Sequence, residues 1–259
     1  MKLIDPSRLT PLPAGFGNCS DCAYRNSGTP EICFACAYQK LEALPENGCS
    51  VCQLPPKEDE SCGNPICHWY DRYFEYNYSI AVRSGVLEWM IKRYKYADIK
   101  GWALILGRLL VAFLDGNRAT FSRFQIITAS PTFVSKSGDG RRWDHTRLVL
   151  EVAANTSGSR WPFDLEEPPV IIKTEATTPL VKAKTWRQRK EIAEVDLRDA
   201  LAVPRPPRTR GKNILVYDDT FTGGFTLREV AKCLIEDGGA KSVSGITIAR
   251  QVFRGKTQG

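Results

Sequence analysis

The stretch from Ile214 to Thr226, Ile-Leu-Val-Tyr-Asp-Asp-Thr-Phe-Thr-Gly-Gly-Phe-Thr, constrains the fold more than any other part of the chain. Four apolar residues suit a parallel strand covered on both faces, and Asp218 and Asp219 stand where that strand would leave the sheet. An α/β sheet puts its chemistry at that carboxyl edge. Thr222, Gly223, Gly224 and Thr226 then supply hydroxyls and closely approachable backbone N–H groups. Leu227, Val230, Ala231, Leu234 and Ile235 recur at helical spacing, and Gly238-Gly239 gives the stop, so a helix is expected over 227–237. An anion in the loop would sit on that helix's dipole. Adjacent acids before a Thr/Gly loop suit a sugar phosphate, with the diol on the acids and the phosphate on the amides. The alternative, a capped strand end beside a capped helix, needs neither both acids nor the glycine pair.

The next constraint is cysteine. Eight of the nine cysteines fall in the first 67 residues, as Cys19/Cys22, Cys33/Cys36, Cys49/Cys52 and Cys62/Cys67. The N-terminus has no apolar export signal, so metal is favoured over disulfides. Eight thiolates make two structural Zn²⁺ sites. Pairing in sequence order groups Cys19, Cys22, Cys33 and Cys36 at one ion and Cys49, Cys52, Cys62 and Cys67 at the other; a cross-braced arrangement is the alternative. His68 is expected to be a bystander.

At 259 residues and 42% hydrophobic content the chain can bury one ordinary core and carry a small appendage. No apolar run is long enough to span a bilayer, which points to a cytoplasmic protein without a membrane partner. A net charge of +7 favours anionic partners. Residues 1–70 form the expected zinc module and 71–259 a second domain, of which 71–123 read as an aromatic, helical hood and 124–259 as the core. The hood holds Tyr70 to Tyr78, a helical pattern around Val86–Tyr94 and a helix over Ile99–Leu114. Phe124–Ala129 and Val170–Lys173 read as the first and second buried strands, Thr146–Ala154 as a helix and Ser242–Arg250 as a further strand. Residues 182–212 hold ten Lys/Arg against four acids, a plausible mobile lid or a solvated, polyanion-binding loop. Its end, Val203–Lys212, is expected to be extended. Cys233 reads as a small core residue. His145 suits a general base, or a structural, hydrogen-bonded histidine.

The motif at 214–226 resembles the fingerprint of type I phosphoribosyltransferases, which bind phosphoribosyl pyrophosphate (PRPP). With the cysteine knuckles and Tyr94-Lys95-Tyr96, the chain resembles the competence-associated ComF-type members of that class. Within the motif the departures are Gly223, where the family has Thr, and Phe225, where it has a small residue; Arg142, Asp144 and His145 depart as well from the ComF-type Arg-Gly-Phe-Asn-Gln. The resemblance implies an α/β fold: a type I phosphoribosyltransferase-like parallel sheet flanked by helices, behind an N-terminal Cys-rich zinc module. It implies catalytic acids Asp218 and Asp219 and a 5′-phosphate site from Thr220, Thr222, Gly223, Gly224, Phe225 and Thr226. Pyrophosphate contacts fall to Ser130, Thr132, Lys95, Arg187 and Arg189, with Lys136 and Lys184 nearby. The implied activity is Mg²⁺-dependent transfer of phosphoribosyl from PRPP to a small-molecule base or amine. The alternative is a non-catalytic nucleotide sensor or DNA-handling protein on the same fold, with single-stranded DNA as partner. Oligomerisation is left open.

Overall fold

The structure, a computed structural model, describes residues 34–97, 99–135 and 142–252. Its strands in chain order are β1 (Asn77–Val82), β2 (Ile126–Ala129), β3 (Ile172–Lys173), β4 (Leu201–Ala202), β5 (Asn213–Phe221) and β6 (Ser242–Arg250). The helices are α1 (Phe34–Gln39), α2 (Gly85–Tyr96), α3 (Ala103–Gly116), α4 (Arg118–Phe121), α5 (His145–Ser157), α6 (Trp186–Ile192), α7 (Pro206–Thr209) and α8 (Phe225–Glu236). The architecture is α/β: a four-stranded, wholly parallel sheet in the order β1-β6-β5-β2, flanked by helices.

β5 carries the motif and lies inside the sheet, and its apolar run alternates between two cores. Leu215 and Tyr217 face a cluster with Leu106 of α3, Leu87 of α2 and Val149 of α5. Ile214 and Val216 face the other, with Val230 and Leu234 of α8 and with Cys52, Leu54 and Ile66 from the cysteine-rich segment. Burial on both faces is what an uninterrupted apolar strand requires. The helix expected over 227–237 is α8, that over Thr146–Ala154 is α5, and that over Ile99–Leu114 is a 3₁₀ turn leading into α3. Cys233 is fully buried in the second core, as expected.

Two strand expectations are corrected. β1 lies in the segment read as a helical hood; it forms an edge of the sheet, parallel to β6, with Tyr78 beside Ile246 and Ala81 beside Ala249. Val170–Lys173 does not join the main sheet. Val170 and Ile171 are buried, but only Ile172–Lys173 is a strand, and it pairs antiparallel with β4. The outer edge of β2 is already taken: Ile127 donates to the carbonyl of Pro162 and accepts from the N–H of Asp164, both at 2.8 Å. The Asp164 carboxylate then accepts the Val170 N–H at 2.8 Å and fixes the chain as it turns away.

The basic segment is not structureless either. α6 begins at a capping box in which Thr185 Oγ1 accepts the Gln188 N–H and Gln188 reaches back to the Thr185 N–H. It continues into a π-helical turn, Ala193–Leu197. The expected extended stretch Val203–Lys212 contains one helical turn, α7, opened by Pro206. Among the described residues no helix is long and apolar enough to cross a membrane.

Candidate functional site

The site forms where β5, β2 and β1 end. Asp218 is half-buried, and its own carboxylate accepts the N–H of Asp219 at 2.8 Å; both acids lie within β5, which stays paired with β6 through Phe221 and so leaves the sheet later than the sequence suggested. Asp219 is only 2% exposed. Its Oδ2 lies 2.6 Å from Lys95 Nζ and 3.6 Å from His145 Nε2. Lys95 comes from the last turn of α2. His145 is the first residue of α5, whose N-cap Asp144 accepts the N–H groups of Thr146 and Arg147. Tyr94 O–H donates to the His145 carbonyl at 2.6 Å and holds that helix start. Burial, and then the charge of Asp219, push the phenols of Tyr94 and Tyr217 well above the usual tyrosine range. Both therefore stay neutral walls beneath the acids.

Beyond the acids the loop leads into a helix start with open amides. Gly224 is the N-cap of α8 at φ +90°, in the left-handed region. Among the described residues, the backbone N–H groups of Gly223, Gly224, Phe225 and Thr226 donate to no acceptor; Arg228 N–H is the first to bond back, to Gly224 O at 2.9 Å. Those amides carry the positive end of the helix dipole. Phe225 is only 3% exposed. Its ring packs against Trp69 and Trp186, with centroids 5.9 and 5.1 Å apart. Gly223 also has a local reason: a Cβ there would come 3.0 Å from Trp186. The space that a threonine would need is taken by the indole of α6.

A Cβ on Gly224 would approach Phe221 Cζ to 2.7 Å, in a backbone region that L side chains avoid. Gly224→Ala is therefore expected to lower stability by about 2–4 kcal/mol, about 1–2 from the left-handed backbone and the rest from overpacking. Urea unfolding checks this, and a loss under about 0.5 kcal/mol, the ordinary surface range, would contradict the conformation.

Two cavities meet at Asp218. The smaller, about 260 Å³, is lined by the loop from Thr220 to Thr226, by Asp218 and Ser130, and by Arg83 and Arg189. The larger, about 440 Å³, is lined by Lys95, Ser130, Thr132, His145, Thr178 and Asp218, among others. Leu180 and Val181 border both. The Nε atoms of Arg83 and Arg189 are buried and have no hydrogen-bond partner among the described residues. Both residues line the loop cavity, and Arg83 is held there by Nη1, which donates to Gln251 Oε1 at 3.0 Å, and by Nη2, 3.8 Å from Glu88.

Most of the sequence-derived residues meet here. Asp218, the whole 220–226 loop, Ser130, Thr132, Lys95 and Arg189 line the two cavities, whereas Asp219 lines neither and is buried against Lys95. Arg187 is exposed and lines neither, Lys184 lies in a separate surface depression, and Lys136 falls outside the described residues. Lys95, expected to reach a pyrophosphate, lines the larger cavity and pairs with Asp219. Arg83 was not identified from the sequence. Its signal is positional: it directly follows the carboxyl end of β1, as the acids follow the apolar run of β5.

The second chemical feature is a thiol cluster. Cys49, Cys52, Cys62 and Cys67 bring their sulfurs within 4.8 Å of one another, and Cys52 Sγ and Cys62 Sγ are 3.6 Å apart. Ligands of a tetrahedral Zn²⁺ with bonds of about 2.3 Å lie about 3.8 Å apart, so the donor set fits. The N–H groups of Val51 and Asn64 point at Cys49 Sγ and Cys62 Sγ, each at 3.4 Å, as knuckle turns do. This is the second set of the sequential pairing. His68 is outside it, its Nε2 against the Cys62 carbonyl at 2.8 Å. Cys19, Cys22 and Cys33 lie outside the described residues.

A parallel sheet flanked by helices, whose inner strand runs through paired acids to an amide-lined helix start, makes this an α/β protein. No family model matches the chain. In sequence it is similar to Competence protein ComFC of Bacillus subtilis (strain 168), with 25% identity over 231 residues that span 85% of this chain and 84% of that protein. That similarity supports the ComF-type resemblance.

Proposed function

We propose that the protein binds PRPP and transfers its phosphoribosyl group to a nitrogen of a small base or amine. The observation that carries this reading is the row of unbonded N–H groups at Gly223–Thr226, one cavity wall away from Asp218. The 5′-phosphate would lie on those amides with Arg83 and Arg189, and the ribose hydroxyls on Asp218 and Asp219. The larger cavity would then take pyrophosphate and acceptor beside Ser130, Thr132 and His145. The acceptor nitrogen attacks the ribosyl C1 as the C1–oxygen bond breaks, and pyrophosphate leaves with the bonding pair. His145, against Thr132 Oγ1 and Asp219, is the group we assign to take the acceptor's proton.

Mg²⁺ belongs to this proposal as well. The oxygens of Asp218 and Asp219 and the ring nitrogen of His145 lie within 4.8 Å of one another, a donor set compatible with a divalent ion beside a bound diol. When bound, the ion would offset the charge that grows on pyrophosphate. Lys95 already places one positive charge on Asp219, so the acids are held apart in role before any metal arrives.

The test is pyrophosphate release from PRPP and Mg²⁺ with a panel of bases and amines, alongside calorimetry with PRPP alone. Release with one acceptor supports transfer. Binding without release favours the second reading, a PRPP or nucleotide sensor that handles DNA; the name of the ComFC relative, a competence protein, is what favours it. Steeply salt-dependent binding of single-stranded DNA would add to that reading. Arg83→Met is expected to weaken PRPP about ten- to a hundredfold, since hydrogen bonds to charged groups are worth about 1.5–3 kcal/mol. An affinity unchanged in this variant would remove Arg83 from the phosphate site.

A further inference from the structure

The thiol cluster and the anion loop share one side chain. Arg250 ends β6 and is fully buried, among the largest side chains to be so. Its Nε donates to the Cys52 carbonyl at 2.6 Å, and Nη2 lies 3.4 Å from Cys52 Sγ. Nη1 donates to the carbonyls of Phe221 at 3.0 Å and of Thr222 and Gln251, both at 2.8 Å. The guanidinium also lies over the Phe221 ring, 4.9 Å from its centroid. A guanidinium is a rigid planar fork. One plane therefore fixes the second cysteine of the knuckle relative to the two peptides that lead into the glycine pair.

The consequence for the loop follows from peptide planarity. A carbonyl and the N–H of the following residue point in opposite directions. Holding the carbonyls of Phe221 and Thr222 on Arg250 turns the N–H groups of Thr222 and Gly223 away from it, to the side where those residues line the cavity. The knuckle supports the same place by packing: Ile66 Cγ2 lies 3.3 Å from where a Cβ of Gly224 would be. Asn77 N–H donates to the Val51 carbonyl at 2.8 Å, which ties the knuckle to β1 next to the cavity.

We propose that Arg250 is a positioning residue that couples the metal centre to the anion site, so that Zn²⁺ on Cys49, Cys52, Cys62 and Cys67 sets the loop amides for phosphate. Four thiolates around a divalent ion carry net negative charge, and Arg250 is the cation beside them. Metal bound there draws Cys52 and the fork into one arrangement, and the loop carbonyls follow. Linkage makes the effect reciprocal: a phosphate on the loop tightens metal binding at equilibrium by the same coupling energy.

The experiment uses the full chain, zinc-loaded or stripped by a chelator, as wild type and as Arg250→Lys, which keeps the charge but loses the fork. Backbone amide spectra are read at Gly223 and Gly224, with Ile127–Ala129 of β2 as internal reference, and ribose 5-phosphate is titrated by calorimetry. In wild type, stripping should move or broaden the Gly223 and Gly224 signals, leave β2 in place and weaken ribose 5-phosphate about tenfold, within the usual range for coupled sites. In Arg250→Lys the glycine signals should already be displaced, and stripping should change affinity by less than about twofold. Glycine signals unmoved by stripping in a folded wild-type protein overturn the proposal, as does an equal zinc effect on affinity in both proteins. If Arg250→Lys does not fold, the wild-type comparison decides alone. The affinity arm rests on the function proposed above: if loaded wild type fails to bind ribose 5-phosphate, that reading falls and the amide signals still decide the coupling.

Discussion

Replacing Asp218 and Asp219 together by asparagine is expected to abolish measurable PRPP binding. Each carboxylate that accepts from ribose hydroxyls contributes about 1.5–3 kcal/mol. Loss of both amounts to about 3–6 kcal/mol, or roughly a hundred- to ten-thousandfold in Kd. The two acids will not behave alike one at a time. Asp218 lines both cavities and its pinning contact is to the neighbouring N–H, which an asparagine side-chain oxygen can keep. Asp218→Asn should therefore weaken binding with little effect on stability. Asp219→Asn strips the partner from a lysine whose side chain is only 15% exposed. Losing one member of a buried pair costs about 3–5 kcal/mol, reduced here to about 2–4 because Lys95 keeps some access to water. Lys95→Met in the Asp219→Asn background should restore most of that stability without restoring PRPP binding. Calorimetry with PRPP reads the first effect and urea unfolding the second; unchanged affinity in the double asparagine variant would refute the assignment of the acids.

The split between these acids shows what sequence reading reaches. The motif was legible because most levels agreed there: an apolar strand, glycines at the turn and a periodic helix behind it, although the strand runs on past both acids to Phe221. Lys95 could be named from its segment, but only folding shows that it meets Asp219, 124 positions away on another element. β1 was hidden because its strand character depends on a partner, β6, at the other end of the chain. Its short run Asn-Tyr-Ser-Ile-Ala-Val follows a string of aromatics that reads equally well as hood. Val170–Lys173 erred the other way. A β-branched run says that a segment is buried, and not which sheet it joins; the edge of β2 had been closed by Pro162–Asp164. The capping box at Thr185–Gln188 was a readable signal for α6, masked by the surrounding charge. Arg250 had none: at the end of an apolar strand an arginine reads as an exit to solvent, and its partners Cys52, Phe221 and Thr222 define it only in three dimensions.

Cys52→Ser is expected to lower the Zn²⁺ content by one ion per chain relative to wild type, whatever the occupancy contributed by Cys19, Cys22, Cys33 and Cys36. Cys52 is the fully buried member of its set. In the metal-free cluster its thiol is drawn down to about 4, first by the hydrogen bond from Cys67, with Arg250 adding to it against the opposing effect of burial. Burial pushes Cys62 up to about 12, while Cys67 is raised chiefly by its bond to Cys52. Cys52 is thus held as the thiolate while Cys62 and Cys67 keep their protons until a metal expels them, so zinc is lost as the pH falls. The serine variant removes the thiolate on which the others assemble. Leu54 and Ile66 are part of the core beneath β5, so an unclosed knuckle also loosens the packing behind the loop. A loss of about 3–4 kcal/mol would lower the melting temperature by roughly 10 °C in a chain of this size. Elemental analysis and thermal unfolding of the purified variant check both parts. A full wild-type complement of zinc in Cys52→Ser would mean that the ion is held by some other set of ligands.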